Sequence, residues 1–387
     1  MNIGFVFALM FANVANVLAG RVLLTLFALN LGARPFDVGM LAATFALFPM
    51  LLSWLSGRLT DRFGARWPIT LASLASSAGM LVPYFFPGLP AVFFAAAMLG
   101  FSLTFFSVST QNLVGLMSTE HNRTRNYSNY TMLGSVGSFV GPLIAGFGID
   151  HVGYQSSLLC LVAWPFVPVL LLLMWGDKLP KGSRSAAPTG SIKRALQVPG
   201  VWRILALSSL AQCGTNIFQF YTPVYATSIG MSASTIGVIL AMYAVAGFGS
   251  RMMLPGLIAS FSPKKVLACA FLLGAISFTL VPFSTSANVL AFLAFLFGFG
   301  MNCSQPITMM SMYSSSKGGR SGEALGLRFT ADNATKIAIP FLFGMLATVL
   351  GLGAIFWGSA VLLVSGSLLS RDKKEIVGLK ESENERN

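Results

Sequence analysis

Long apolar runs separated by short clusters of charge form the pattern of this chain from end to end. Between Arg66 and Glu120 lie 53 residues without an acid, Lys or Arg, between Arg203 and Arg251 lie 47, and between Lys265 and Lys317 lie 51. A helix needs about 20 apolar residues to cross the hydrocarbon core of a bilayer, so each interval predicts a two-helix hairpin. The intervals from Asp37 to Arg58, Arg125 to Asp150 and Asp150 to Asp177 enclose 20, 24 and 26 residues and predict one span each. The first 33 residues add one, interrupted only by Arg21, and the stretch from about Leu325 to Ser370 adds two. The pattern predicts an all-α integral membrane protein of twelve transmembrane helices.

Composition agrees, with 55% hydrophobic residues, 10% charged residues and a mean hydropathy of +0.74, against about 25% charged residues in soluble domains. The net charge of +13 would suit nucleic acid if it clustered on a soluble surface. Here the cations punctuate apolar runs, so the partner implied is the lipid bilayer and not nucleic acid. Of the 25 Lys and Arg, 22 fall in or beside termini and loops that share one side, including Arg58, Arg62, Arg66, Lys264, Lys265 and Arg320. The positive-inside rule makes that side cytoplasmic, with both termini on it, as in a multi-pass protein of a bacterial inner membrane. Only Arg34 falls on the other side, and Arg21 and Lys336 lie within spans.

Several classes drop out. "MNIGFVFALM" lacks the basic n-region of a signal peptide, so the first helix is expected to remain. Cys160, Cys213, Cys269 and Cys303 are isolated in apolar segments, and His121 and His151 lie in opposite loops, so neither metal nor cofactor is expected. No GxxxxGK[ST] phosphate loop occurs. No nucleophile or paired-acid constellation is visible, so the chain is not expected to be an enzyme.

The chain divides in the middle. Residues 176–201 are rich in Pro, Gly, Ser and Lys, the composition of a linker, between a six-helix half at 1–175 and another at 202–371; residues 372–387 form a charged tail. The halves repeat: Gly32 and Gly230, Gly39 and Gly237, and Pro142 and Pro340 are each 198 apart, and Gly57 and Gly256 are 199 apart. At the same offset Arg21 matches Gln219.

The loop "GRLTDRFGARW" between the second and third helices then resembles the G-x-L-x-D-R-x-G-R-R signature of the major facilitator superfamily, through Gly57, Leu59, Asp61, Arg62, Gly64 and Arg66. The second half departs from it: "GLIASFSPKK" carries Ser260 where the aspartate would stand. The resemblance implies a rocker-switch secondary transporter of two pseudo-symmetric halves, with substrate near the midplane and helices one, four, seven and ten around the cavity.

Polar residues accumulate on those helices. Helix seven carries Ser208, Gln212, Asn216 and Gln219; helix four carries Ser107, Thr110 and Gln111; helix ten carries Asn302, Ser304 and Gln305; helix one carries Asn13, Asn16 and Arg21 within an arc of roughly 140°. These are candidate substrate contacts, with helix-to-helix hydrogen bonding as the alternative for each amide. On helix eleven Arg328, Asp332 and Lys336 form an i, i+4, i+8 stripe. One reading pairs Asp332 with Lys336 and sends Arg328 to the cytoplasmic edge, toward Asp61. The other makes Lys336 a second cationic contact and Asp332 the proton-titrating group. Arg21, short of an acidic partner, points to an organic anion moved by coupling to protons or another ion.

Two rivals remain. "GSVGSFVGPLIAG", with Gly141 and Pro142, resembles the helix-five signature of the family's antiporters, which implies efflux of drugs or metabolites, although close helix packing also explains its small residues. A sensor or lipid-handling protein on the same fold is the other. A monomer is the default expectation.

Overall fold

A computed structural model describes residues 3–118, 123–176, 179, 201–315 and 321–371; the side chain of Asp61, most of the 176–201 linker and the 372–387 tail lie outside the described residues. The chain forms α1 (Gly4–Asn30), α2 (Pro35–Phe63), α3 (Arg66–Phe85), α4 (Leu89–Leu116), α5 (Arg123–Ala163) and α6 (Phe166–Trp175). The second half forms α7 (Val201–Ser228), α8 (Ala233–Ser260), α9 (Pro263–Leu280), α10 (Ala287–Ser315), α11 (Ser321–Leu350) and α12 (Leu352–Arg371).

Among the described residues ten stretches are long and apolar enough to cross a membrane. One of them, Asn129–Trp175, has 47 residues. At 1.5 Å per residue it measures about 70 Å, twice a hydrocarbon core of about 30 Å. It breaks at Gly153, where φ is 78°, so it supplies two crossings. α7, 28 residues long, is not among the ten because its polar face lowers its hydropathy. With it the bundle has the twelve crossings read from the charge pattern.

The internal repeat is built into the backbone. Gly32 and Gly230 turn the chain after α1 and α7 with φ of 85° and 80°, and Gly153 and Gly351 turn it before the last crossing of each half with φ of 78° and 83°. Both pairs are 198 apart, and a Cβ at such left-handed positions is disfavoured. The halves meet along two seams, α5 on α8 and α2 on α11. A Cβ on Gly146 would lie 2.4 Å from the Ala233 carbonyl oxygen, and one on Gly344 would lie 3.3 Å from that of Pro35. Since 344 − 146 and 233 − 35 are both 198, one seam is the symmetry copy of the other.

Asp150 latches the first seam at the end opposite the chain termini. Its carboxylate accepts from the backbone N–H of Ala233 at 3.1 Å and of Ser234 at 2.7 Å, and from the Ser234 hydroxyl. Those N–H groups open α8 and have no intrahelical acceptor, so a carboxylate from one half caps a helix of the other. Losing such a cap costs about 1–2 kcal/mol, close to tenfold in an equilibrium. Asp150→Ala is therefore expected to enlarge the population in which this end is open about tenfold. Spin labels at Val152 and Met231 should report a longer distance, and an unchanged distribution would show that the latch does not hold the seam.

Candidate functional site

Arg21 stands at the junction of the halves. It lies five residues past Asn16 on α1, half-buried, and its Nη1 donates to the Gln219 side-chain oxygen on α7. The two residues are repeat mates, 198 apart. Two equivalent positions that touch must lie beside the pseudo-twofold axis, so this contact marks the centre of the molecule. The guanidinium sits 5.5 Å from the ring centre of Phe45 on α2 and 5.2 Å from that of Phe220 on α7. This is cation–π distance. Its Nε is buried without a hydrogen-bond partner, and no carboxylate lies within 4.0 Å among the described residues. A cavity of about 60 Å³ beside it is lined by Ser138 and Pro142 of α5, Phe218 of α7 and Tyr243 of α8.

A second cluster lies within the C-terminal half. Asp332 on α11, 5% exposed, accepts from the Ser208 hydroxyl of α7 at 2.7 Å. Arg328, one turn earlier and equally buried, donates Nε to Ser208 at 2.8 Å and Nη2 to the Gln305 side-chain oxygen of α10, with Asp332 at 3.6 Å. Gln305 then donates to the Gln212 side chain of α7 at 3.2 Å. Asp332, Ser208, Arg328, Gln305 and Gln212 thus tie α11, α7 and α10 together in one continuous chain of polar contacts.

Two expectations for α11 are corrected. Asp332 does not pair with Lys336, whose Nζ donates instead to Asn333 at 3.3 Å. Nor is Arg328 a residue of the cytoplasmic edge, since it is 3% exposed and held by Ser208, Gln305 and Asp332. The physical reason is the fork of the guanidinium, which satisfies three acceptors at once, where an ammonium at i+4 would reach one. Lys336 is left half-buried with no carboxylate within 4.0 Å among the described residues, within electrostatic reach of both Asp332, which attracts it, and Arg21, which repels it less strongly.

The polar residues of the other helices divide. Asn13 and Asn16 turn away from Arg21 into the N-terminal half: Asn16 donates to Ser76 of α3 at 2.9 Å, and both line a small space with Ser73 and Ser102. Asn16 thus makes a helix-to-helix bond and Asn13 lines the same space within one half, so neither is placed beside Arg21 as the candidate substrate contacts were expected to be. Asn216 and Asn302 donate to their own helix backbones, at Gln212 and Gly298. Gln111 is exposed on α4. Gly141 packs against α1, where a Cβ would lie 2.7 Å from the Ala15 oxygen, and the Pro142 oxygen faces Gly237 of α8. In the loop motif Gly64 has φ of 77°, Arg62 lies 5.1 Å from the Phe63 ring and Arg66 lies against Gly176. Gly57 meets only Val108 at ordinary distance.

The aromatic walls escaped the reading by polarity. Phe45 and Tyr243 are repeat mates, and each carbonyl lies where a Cβ on Gly100 or Gly298 would collide, at 2.5 and 2.7 Å. Those glycines are also 198 apart, so the repeat was a signal that could have found them. Tyr243 stacks on Phe218 with centroids 5.2 Å apart, and Phe218 on Phe297 at 5.0 Å.

A twelve-helix bundle of two symmetry-related halves, with ionisable groups converging at their junction and no metal-binding cluster among the described residues, defines a membrane transporter. The sequence model of the Major Facilitator Superfamily matches residues 3–261 and 226–386, and the chain belongs to that family. It is 22% identical over 340 residues to YuxJ of Bacillus subtilis (strain 168), an uncharacterised MFS-type transporter, covering 82% of this chain and 84% of that one. It is 21% identical over 368 residues to the quinolone resistance protein NorA of Staphylococcus aureus, covering 91% of each. Its fold matches the crystal structure of a point mutant of the peptide transporter POT in complex with sulfate, with a TM-score of 0.82 at 15% identity over 97% of this chain and 95% of that one. The protein is therefore a multi-pass plasma-membrane transporter and not an enzyme.

Proposed function

We propose that this transporter moves a small organic anion by rocker-switch alternating access coupled to protons, with its termini in the cytoplasm. One observation carries the substrate class: the Arg21 guanidinium at the junction of the halves has a buried Nε without a partner and no carboxylate within 4.0 Å among the described residues, with the Lys336 charge within electrostatic reach of it. Two like charges in a poorly solvated place raise each other's energy, and an anion between them removes that cost. Arg21 offers a fork suited to a carboxylate or phosphate, with Gln219 beside it as a neutral hydrogen-bonding group. Asp332 is the proton-titrating group of the C-terminal half, balanced by Arg328. The seams α5–α8 and α2–α11 are the surfaces on which the halves rock, and Gly57, Asp61, Arg62, Gly64 and Arg66 form the loop that biases their arrangement.

The test is flux into proteoliposomes under an imposed pH gradient, comparing organic anions with organic cations of similar size. Saturable, gradient-dependent accumulation of anions alone is expected. Saturable transport of cations alone would sink the reading, and no saturable flux of either would favour a sensor.

Export is the second reading. A relative is named for quinolone resistance, and Phe45, Phe220, Phe218 and Tyr243 offer aromatic surface around Arg21. An anion with an apolar or aromatic body suits such walls. Counterflow in vesicles of defined orientation separates the two directions.

A further inference from the structure

On the outer face of the C-terminal half, at the end that carries the chain termini, a lateral groove of about 830 Å³ runs between α8, α9, α10 and the last turn of α12. Its walls are apolar: Phe261, 56% exposed, follows α8, Leu273 comes from α9 and Phe299 from α10. Its floor is closed, because α9 and α10 approach until a Cβ on Gly300 would lie 2.4 Å from the Ala270 oxygen. Its polar end is formed by Lys264, Lys265 and Arg371. None of these three cations bonds or pairs with any described residue.

For Lys264 and Lys265 this freedom has a cause in the sequence. The α8–α9 turn is the repeat mate of the loop that holds Asp61 among Arg58, Arg62 and Arg66, but it carries Ser260 in place of the acid. The second half keeps the positive charge of the motif and has lost its negative counterpart. Three cations without an acidic partner among the described residues therefore stand at the membrane-interface end of an apolar slot that faces hydrocarbon. The slot alone does not discriminate, since every acyl chain is equally apolar; the cations do.

We propose that this groove is a binding site for an anionic phospholipid, with an acyl chain lying along Phe261, Leu273 and Phe299 and the headgroup phosphate held by Lys264, Lys265 and Arg371. Charge complementarity selects a phospholipid with net negative charge over a zwitterionic one, because three cations exceed what a single phosphate bearing its own ammonium neutralises. The site is separate from Arg21 and does not depend on which solute is carried.

The experiment is native mass spectrometry of the purified full-length chain titrated with phosphatidylglycerol and with phosphatidylcholine of identical chains. The wild type is expected to retain one phosphatidylglycerol at least tenfold more tightly than phosphatidylcholine. K264A/K265A/R371A is expected to weaken that binding on the order of 100-fold, at roughly the contribution of one basic residue near an anionic headgroup for each cation, while K264R/K265R retains it. C269W keeps every charge and fills the groove, because Cys269 is exposed on its wall, and it is expected to lose the lipid as well. Equal retention of the two lipids overturns the proposal. So does undiminished binding by C269W, which would assign the effect to scattered surface charge. Displacement by soluble glycerol phosphate would make the ligand a free phosphate, and tighter binding after removal of residues 372–387 would make the tail the native occupant; either result overturns it.

Discussion

Arg21→Gln is expected to abolish concentrative transport and the thermal stabilisation that substrate confers, while the unliganded protein folds as before or melts slightly higher. The guanidinium lies beside the paired rings of Phe45 and Phe220 and donates to Gln219. Its Nε is unpartnered, and among the described residues no carboxylate lies within 4.0 Å of it. A glutamine keeps a hydrogen bond to Gln219 but removes the charge and the fork. Charge-assisted bonds to an anion are worth about 1.5–3 kcal/mol each, so loss of a bidentate contact amounts to roughly 100-fold to 10,000-fold in affinity. The same change relieves the unliganded protein of a poorly solvated, unpaired charge. Arg21→Lys should fall between the two, since an ammonium keeps the charge without the planar fork. Substrate affinity measured by thermal shift and by uptake decides the matter. An unchanged affinity, or a collapse of the unliganded protein, would make Arg21 a structural residue.

Asp332→Asn is expected to remove accumulation driven by a pH gradient and to keep exchange of labelled for unlabelled substrate. Asparagine has the shape of aspartate and still accepts from Ser208, but it no longer takes up and releases a proton, and it leaves Arg328 without a balancing charge. Breaking a buried ion pair from one side costs about 3–5 kcal/mol, so the single variant should melt lower. Arg328→Gln combined with Asp332→Asn should recover much of that stability, because both charges are then gone. Gradient-driven uptake must stay absent in the double variant. Recovery of driven uptake with stability would show that Asp332 matters only as the partner of Arg328, and loss of exchange in both variants would take the proton role from it equally.

Helix number and repeat were readable because both are one-dimensional properties. Charge-free intervals report crossings whatever the helices pack against, and Gly32, Gly153, Gly230 and Gly351 recur because the same left-handed turns recur in each half. The candidate site was readable only in part. Arg21 and Gln219 were paired by offset, and the offset alone gave them equivalent positions; their contact required the axis to pass between them. Asn13 and Asn16 show the opposite case. They share an arc with Arg21 by period, yet both side chains face into the same half, where Asn16 finds the Ser76 hydroxyl of α3 and Asn13 lines the same small space.

The sequence by itself determined that the chain crosses a membrane twelve times, repeats itself at an offset of 198 and carries its polar residues on particular helices. Apolar length, helical period and the position of glycines suffice for that. The tertiary structure decided which of those polar residues meet. It gave Asp332 to Arg328 and Ser208 and left Lys336 without a carboxylate within 4.0 Å among the described residues, in reach of both the Asp332 and the Arg21 charge. Spacing along one helix places side chains on a common face, but the rotation of that helix against its neighbours, set by close packing at positions such as Gly146 and Gly344, selects the partner each side chain finds.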